Sequence, residues 1–261
     1  MWRLLDHGPG PPAWNMAVDE VLRRSHAENG GHPTLRLYQW ACPTLSLGAG
    51  QHLPAALTPD RLAALGLTVV RRPTGGRAVV HGGDLTYAMV AGCRDGFPAS
   101  IPVVYRRLQA GLQRGLAKLG IDTAAGVTSA AVGFSCFAHL GRGDLAWQGR
   151  KLAGSAQSWQ GQSFLQHGAI LLTPQQETWQ QLLGLLDQEM TLPITSLQEI
   201  LGELPPLADV QEVLRQGWEE ELGIRFKSGE LTAWERHLLA KDYGFAPEGL
   251  PTAGWQPGGG S

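Results

Sequence analysis

Charge is scarce in this sequence: 17% of its 261 residues are Asp, Glu, Lys or Arg. That excludes a chain kept disordered by self-repulsion. Neither sign dominates. Lys and Arg number 21 against 23 Asp and Glu, so the basic excess of a nucleic-acid-binding face is missing. Cysteine is scarce too, with Cys42, Cys93 and Cys136 alone. The number is odd and no Cys-x-x-Cys pair occurs, which excludes a disulfide framework and a structural zinc site. No apolar run reaches the about 18 residues of a membrane span. Residues 1–6 lack the apolar stretch of a signal peptide, so a reducing, cytoplasmic setting is expected. No internal repeat is present.

What is there is an apolar share of 43%, enough to build one substantial core. Trp2 to Leu5 reads as a strand, and Gly8 to Pro12 as a loop. Trp14, Ala17, Val18, Val21 and Leu22 share one face of a helix. Leu35 with Leu37, and Leu45 with Leu47, mark two strands joined around Pro43. Leu62 to Leu65 is a short helix ended by Gly66, and Val69-Val70 opens another strand. Ala78 to Val80 and Leu85 to Val90 read as a hairpin closed at Gly82-Gly83. Val104, Leu108, Leu112 and Leu116 mark a helix that stops near Gly120. Ala124 to Gly143 lacks a period and reads as a long loop. Leu145–Trp147, Lys151–Ala156 and Ser163–Leu172 are strands joined by turns at Gln148-Gly149 and Gln160-Gly161. Beyond Pro174 the pattern is helical. Trp179, Leu182, Leu183 and Leu186 form one stripe. Ser196 and Glu199 form a capping box. Val210, Val213, Leu214 and Trp218 form a further stripe closed by Gly223, and Leu231 to Leu239 is a last helix. The expected fold class is α+β: a mixed, largely antiparallel sheet with flanking helices and a helical C-terminal part from about residue 174. A single domain over residues 1–250 and a disordered tail over 251–261 are expected.

Three segments carry candidate chemistry. Arg71-Arg72-Pro73-Thr74-Gly75-Gly76-Arg77 places two glycines after a strand, where a ligand can approach the backbone closely. Gly149-Arg150-Lys151-Leu152-Ala153-Gly154-Ser155-Ala156 leaves room beside a strand that also carries a lysine. Gln166-His167-Gly168 sets a histidine into an apolar strand. Taken singly, each also fits an ordinary structural role: a surface hairpin, a solvated lysine, a hydrogen-bonded core histidine.

Together they resemble the superfamily of lipoate-protein ligases, octanoyltransferases and biotin-protein ligases. Asn15-Met16-Ala17-Val18-Asp19-Glu20 resembles its first helix. Cys136, in Phe134-Ser135-Cys136-Phe137 and 15 residues before Lys151, is similar to the acyl-carrying cysteine of octanoyltransferases of the LipM type. One turn departs from their pattern: after His81 they run Asp-Gln-Glu-Leu-Thr-Tyr, whereas this chain runs Gly82-Gly83-Asp84-Leu85-Thr86-Tyr87. The resemblance implies the catalytic-domain fold of those ligases. It implies catalytic roles for Cys136 and Lys151, and substrate-binding roles for Arg72, Thr74, Gly75, Gly76, Arg77, His81, Gly154, Ala156, His167 and Gly168. It also implies an octanoyl donor on acyl carrier protein and, as acceptor, a lipoyl domain or the glycine cleavage H protein. No metal, cofactor, nucleic-acid or membrane partner is implied. Leu85, Tyr87, Ala153 and Ala156 are read as pocket walls, and Cys42 and Cys93 as structural. The rival readings are an ATP-dependent lipoate-protein ligase, a lipoyl-domain amidotransferase, and a homologue that binds acyl groups or carrier domains without transfer. The ligases commonly carry a further C-terminal domain, for which little room follows Leu172.

Overall fold

A computed structural model describes residues 1–126, 134–135, 141, 143–188 and 192–245. In chain order its elements are β1 (Trp2–Gly10), α1 (Pro12–Glu28), β2 (Thr34–Trp40), β3 (Thr44–Leu47), α2 (Pro59–Ala64), β4 (Thr68–Arg71), β5 (Val79–His81) and β6 (Asp84–Gly92). After a short 3₁₀ turn come α3 (Ile101–Ala117), β7 (Ala124–Ala125), β8 (Leu145–Trp147), β9 (Arg150–Gln160) and β10 (Ser163–Leu171). The C-terminal part is α4 (Gln176–Gly184), α5 (Leu197–Leu201), α6 (Leu207–Leu222), β11 (Phe226–Ser228) and α7 (Ala233–Tyr243).

Local chemistry accounts for many of the boundaries. α1 opens on a proline in its first turn, where a missing N–H costs nothing. α6 stops at Gly223 in the left-handed conformation. Thr232 and Glu235 form a capping box at the start of α7. Ser196 caps α5 by accepting from the Glu199 N–H, as the sequence pattern requires.

Eight strands form one sheet in the order β11-β1-β2-β6-β10-β9-β8-β7, and three form a small sheet in the order β4-β3-β5. β1 runs parallel to β2 and β11; every other pairing in the large sheet is antiparallel. The expected α+β class with a mixed, largely antiparallel sheet is what the chain adopts. Four details differ from the sequence reading. β1 continues through Pro9-Gly10, which pair with Gln39-Trp40 after a shift in register. Ala124-Ala125, read as loop, pair with β8. β11 carried no period to read, being three residues long. The segments flanking Gly82-Gly83 are not a hairpin: β5 pairs with β3 in the small sheet, and β6 with β2 and β10 in the large one. Gly82-Gly83 is the corner between the sheets, with Gly82 at φ 131°, a region open to glycine.

Each face of the large sheet has its own core. On one face Leu35, Leu37, Leu85, Tyr87, Met89, Phe164 and Ile170 pack against Leu108 and Leu112 of α3 and Leu214 and Trp218 of α6. On the other, Leu5, Ala88, Val90 and Leu165 pack against Trp14, Val18, Val21 and Leu22 of α1 and Leu239 of α7. The small sheet packs Leu45, Leu47 and Val80 against Leu62 of α2 and Trp179 and Leu182 of α4. Among the described residues no helix is long and apolar enough to cross a membrane.

Helices α3 and α6 meet through glycine. A methyl group on Gly217 would stand 2.3 Å from the Gly115 nitrogen and 2.4 Å from the Gly111 oxygen. Backbone atoms cannot rotate away, so the helices would have to separate. Overpacking of this kind costs about 1–3 kcal/mol, and the better helix propensity of alanine returns about 1 kcal/mol. Gly217→Ala is therefore expected to lower stability by up to about 2 kcal/mol in urea unfolding; a raised midpoint would mean that the two helices have slack.

Candidate active site

Side chains alternate between the faces of a strand, and the register decides which residues meet. His167 lies opposite Ala88 and Ala156, and Ala169 opposite Thr86 and Gly154. Tyr38 lies opposite Thr86. These residues share the α1 face of the sheet. Above them a pocket of about 530 Å³, counted to its open mouth, is lined by Tyr38, Thr86, Gly154, Ala156, His167 and Ala169, together with Met16, Trp40, Ser46, Arg72, Gly76, Val79, His81 and Lys151. Of the expected wall residues only Ala156 is part of it. Leu85, Tyr87 and Ala153 have the opposite parity and are buried in the α3–α6 core. Gly168 lines the pocket too, and a Cβ there would collide with the Tyr87 ring at 2.7 Å and Ser155 Oγ at 2.6 Å.

Lys151 reaches the pocket through a β-bulge. Ala146 pairs with Lys151 and the next residue, Leu145, with Ala153, so Leu152 is extra and the alternation resets. The lysine then shares the side of Gly154. Its side chain is fully buried, and Nζ donates to Asp144 Oδ1 at 2.8 Å. The side chain folds back over Gly154, where a Cβ would stand 2.8 Å from Cε and 2.9 Å from Nζ. The small residue at 154 thus makes room for the lysine itself. Burial pushes the Asp144 carboxyl above its ordinary range, against the pull of the Lys151 charge and of the Gly141 N–H. Gln109 of α3 holds the Asp144 carbonyl at 3.1 Å, and Tyr105 holds the Gly143 and Ser155 carbonyls.

Arg72 shapes the glycine turn from within. Its Nη2 donates to the Gly75 and Arg77 carbonyls at 2.9 and 2.7 Å, and its Nη1 to Ser46 O and Oγ. Gly76 has φ 94°, and a Cβ on it would meet Arg72 Nη2 at 2.9 Å. Gly48, which sequence reasoning missed, backs the turn: a Cβ there would lie 2.0 Å from the Gly76 oxygen. Gly75 faces open space. Arg77 is half-buried and, with Thr74 and Gly75, is not among the lining residues.

Two buried Asp–His–hydroxyl chains converge on this turn. In the first, Asp19 Oδ2 lies 3.0 Å from His167 Nδ1, and His167 Nε2 lies 2.5 Å from Thr74 Oγ1. In the second, Asp84 Oδ2 lies 2.9 Å from His81 Nδ1, and His81 Nε2 lies 2.8 Å from Ser46 Oγ, which also receives Arg72. Trp40 stacks on His81 with ring centres 4.2 Å apart. Burial pushes the His167 imidazole below its ordinary range, although Asp19 pulls it up. Burial alone would raise the Asp84 carboxyl, but His81, Thr86 and the Gly82 N–H together hold it below the carboxylate range. The turn after His81 thus delivers a carboxylate three residues on, where the LipM-type pattern has Glu. Asp19, Asp84 and Asp144 were not picked out from the sequence as site residues, although Asp19 and Asp84 stood in quoted motifs.

Cys136 lies outside the described residues. The two residues before it are described: the Ala78 N–H donates to the Phe134 carbonyl at 3.2 Å, Gln51 Nε2 donates to the same carbonyl at 3.0 Å, and Ser135 bridges to Ala78, just after the glycine turn. Cys42 and Cys93 are free, half-buried thiols, and neither lines the pocket. Among the described residues no group of three His, Cys, Asp or Glu is placed to hold a metal ion.

Known proteins are similar to this chain. The family model for the lipoyl protein ligase A/B catalytic domain matches residues 11–219. The octanoyltransferase LipM of Kyrpidia tusciae is 39% identical over 265 aligned positions, covering 92% of this chain and 95% of that protein. The LipM octanoyltransferase of Moorella thermoacetica is 35% identical, with 91% and 92% covered. Among solved structures, a lipoate-protein ligase A bound with ATP superposes with a TM-score of 0.76 over 95% of this chain and 98% of that one; at 23% identity this likeness establishes the fold. Family model and relatives agree, and the chain belongs to the lipoyl protein ligase A/B catalytic-domain family, among the octanoyltransferases of the LipM type.

Proposed function

We propose that the protein takes an octanoyl group from octanoyl-acyl carrier protein onto Cys136 and passes it to a lysine of a lipoyl-carrier domain, such as the glycine cleavage H protein. The observation that carries the proposal is that buried Lys151 lines the same pocket as Gly76 of the glycine turn, while Phe134 and Ser135, the two residues before Cys136, are tied to Ala78 just after that turn. In the first step the Cys136 thiolate attacks the donor thioester, and the carrier thiol leaves. In the second the acceptor amine attacks the acyl-enzyme, Cys136 leaves as thiolate, and the amine proton is lost to complete the amide. An ammonium near the thiol favours the thiolate and stabilises the oxyanion of both tetrahedral intermediates. Asp144 holds that ammonium in place at 2.8 Å. The largely apolar walls suit a short saturated chain, whose burial is worth about 0.8 kcal/mol per methylene, roughly 5 kcal/mol for octanoyl. Neither step uses a nucleotide or a metal.

Three measurements test this. Mixed with octanoyl-acyl carrier protein and no ATP, the protein should gain one octanoyl mass that hydroxylamine removes. Cys136→Ala should carry none. Transfer by Cys136→Ala at the wild-type rate would end the covalent scheme, and modification by free octanoate that requires ATP would make the protein a ligase.

Alkylation of Cys136 followed against pH probes Lys151. In the wild type the rate should be nearly flat above about pH 7, and Lys151→Ala should move the rise toward about pH 8.5, the value for a free thiol. Transfer by Lys151→Ala should fall further than the thiolate fraction explains, since one oxyanion donor is worth about 2.7–4 kcal/mol in other enzymes. Coincident alkylation curves would remove Lys151 from thiol activation.

Gly154→Ala separates room for substrate from room for the lysine. Its methyl displaces Nζ, so it should reproduce the alkylation profile of Lys151→Ala. A wild-type profile with weakened donor binding would instead assign the space over Gly154 to the acyl chain.

A further inference from the structure

Asp19 is fully buried and touches the pocket through other side chains. Its Oδ1 accepts from Arg36 Nη1 at 2.7 Å, and its Oδ2 accepts from the Tyr38 hydroxyl at 2.9 Å while facing His167 Nδ1. Burial by itself would raise this carboxyl, but Arg36 and His167 outweigh it and hold Asp19 below the ordinary range. An ionised carboxylate only accepts hydrogen bonds, so His167 must donate from Nδ1. Burial keeps the imidazole neutral, which leaves it one proton, on Nδ1, and a lone pair on Nε2. Thr74 Oγ1, 2.5 Å from that lone pair, must be the donor. Thr74 is itself fully buried, and its carbonyl accepts from the Ala49 N–H at 2.9 Å. The direction of every proton from Arg36 to the glycine turn is thus set by one carboxylate. The second chain does not substitute for it, since Asp84 and His81 end on Ser46 and Arg72.

We propose that Asp19 is a positioning residue for acyl transfer: through His167 it fixes the Thr74 hydroxyl, and with it the turn that forms one wall of the acyl pocket. The kinetic part of this proposal rests on the transfer reaction proposed above; the tautomer of His167 does not. Asp19→Asn replaces one acceptor by a donor. If the amide oxygen stays on Arg36, its N–H faces His167 Nδ1, the ring proton moves to Nε2, and the Thr74 hydroxyl must turn away. A buried Asp-to-Asn change behind a histidine acts in this manner in the serine-protease triad.

The experiment combines nitrogen NMR of the histidine-labelled full chain with transfer kinetics. At pH 7 the wild-type His167 should be protonated on Nδ1 and bare on Nε2; a ring protonated on Nε2, or on both nitrogens, overturns the proposal without any variant. Asp19→Asn and Thr74→Val should each lower kcat by about 10- to 100-fold, the usual cost of losing an orienting partner, with little change in KM for the octanoyl donor. Thr74→Ser keeps the hydroxyl and should restore the rate. Because both substitutions break one chain, the double variant should lose no more than the worse single. Losses that multiply, a Thr74→Ser protein as slow as Thr74→Val, or an Asp19→Asn protein at the wild-type rate would each overturn the proposal. If Asp19→Asn fails to fold because Arg36 loses its counter-charge, the wild-type spectrum and the Thr74 pair decide. Absence of octanoyl transfer by the wild type is failure of the reaction; transfer that these variants leave unchanged is failure of the positioning role.

Discussion

A guanidinium in the middle of a β-sheet has no water to turn to, and the placement of Arg36 organises much of what surrounds it. It is fully buried on β2. It donates to the Asn15 carbonyl, to Asn15 Oδ1, to Asp19 Oδ1 and to His7 Nδ1, and lies 3.9 Å from the centre of the Tyr38 ring. Burial, reinforced by the Arg36 charge, pushes the pKa of His7 down to about 3, so His7 remains a neutral acceptor. Removing one partner from such a charge costs about 3–5 kcal/mol. Helix α1 therefore has one rotation on the sheet. That rotation sends Asp19 to His167 and Met16 to the pocket.

The long apolar periods were legible in the sequence because one residue type repeated over several turns sets a face regardless of its partners. α1, α3 and α6 and strands β6 and β10 are of this kind. What could not be read was pairing over distance. Two apolar runs around Gly82-Gly83 look like a hairpin from within, and only the competition between two sheets for β5 and β6 makes the segment a corner. Parity failed for the same reason. Leu85 and Tyr87 are as apolar as any wall residue, and which face they take depends on register with β10. The bulge at Leu152, which sends Lys151 to the pocket side, leaves no trace in composition.

The site divides along the same line. His81, Lys151, Gly154, Ala156 and His167, which line the pocket, could be named from the sequence because their motifs are contiguous. Asp19 and Gly48 were missed because each acts on a residue from a distant segment, and Asp84 and Asp144 because their partners, three and seven residues away, meet them only through a turn. The turn after His81 shows how backbone and side chain divide the work. Gly83 accepts the Leu172 and Thr173 N–H groups on its carbonyl, and a Cβ there would meet Thr173 and Gln175 at 2.3 and 2.4 Å. The chain turns there without a side chain, and the carboxylate that orients His81 comes from Asp84 at the start of β6.

The two edges of the large sheet differ sharply from its middle. β6 and β10 are nine residues long, whereas the sheet ends in β7 with two residues and β11 with three. An edge strand displays unpaired backbone groups to any other extended chain, and its length sets how many rungs a stranger can add. Two or three rungs are too few to hold a foreign strand. Among the described residues, the terminal strands of a wide sheet thus give a foreign chain little to grip.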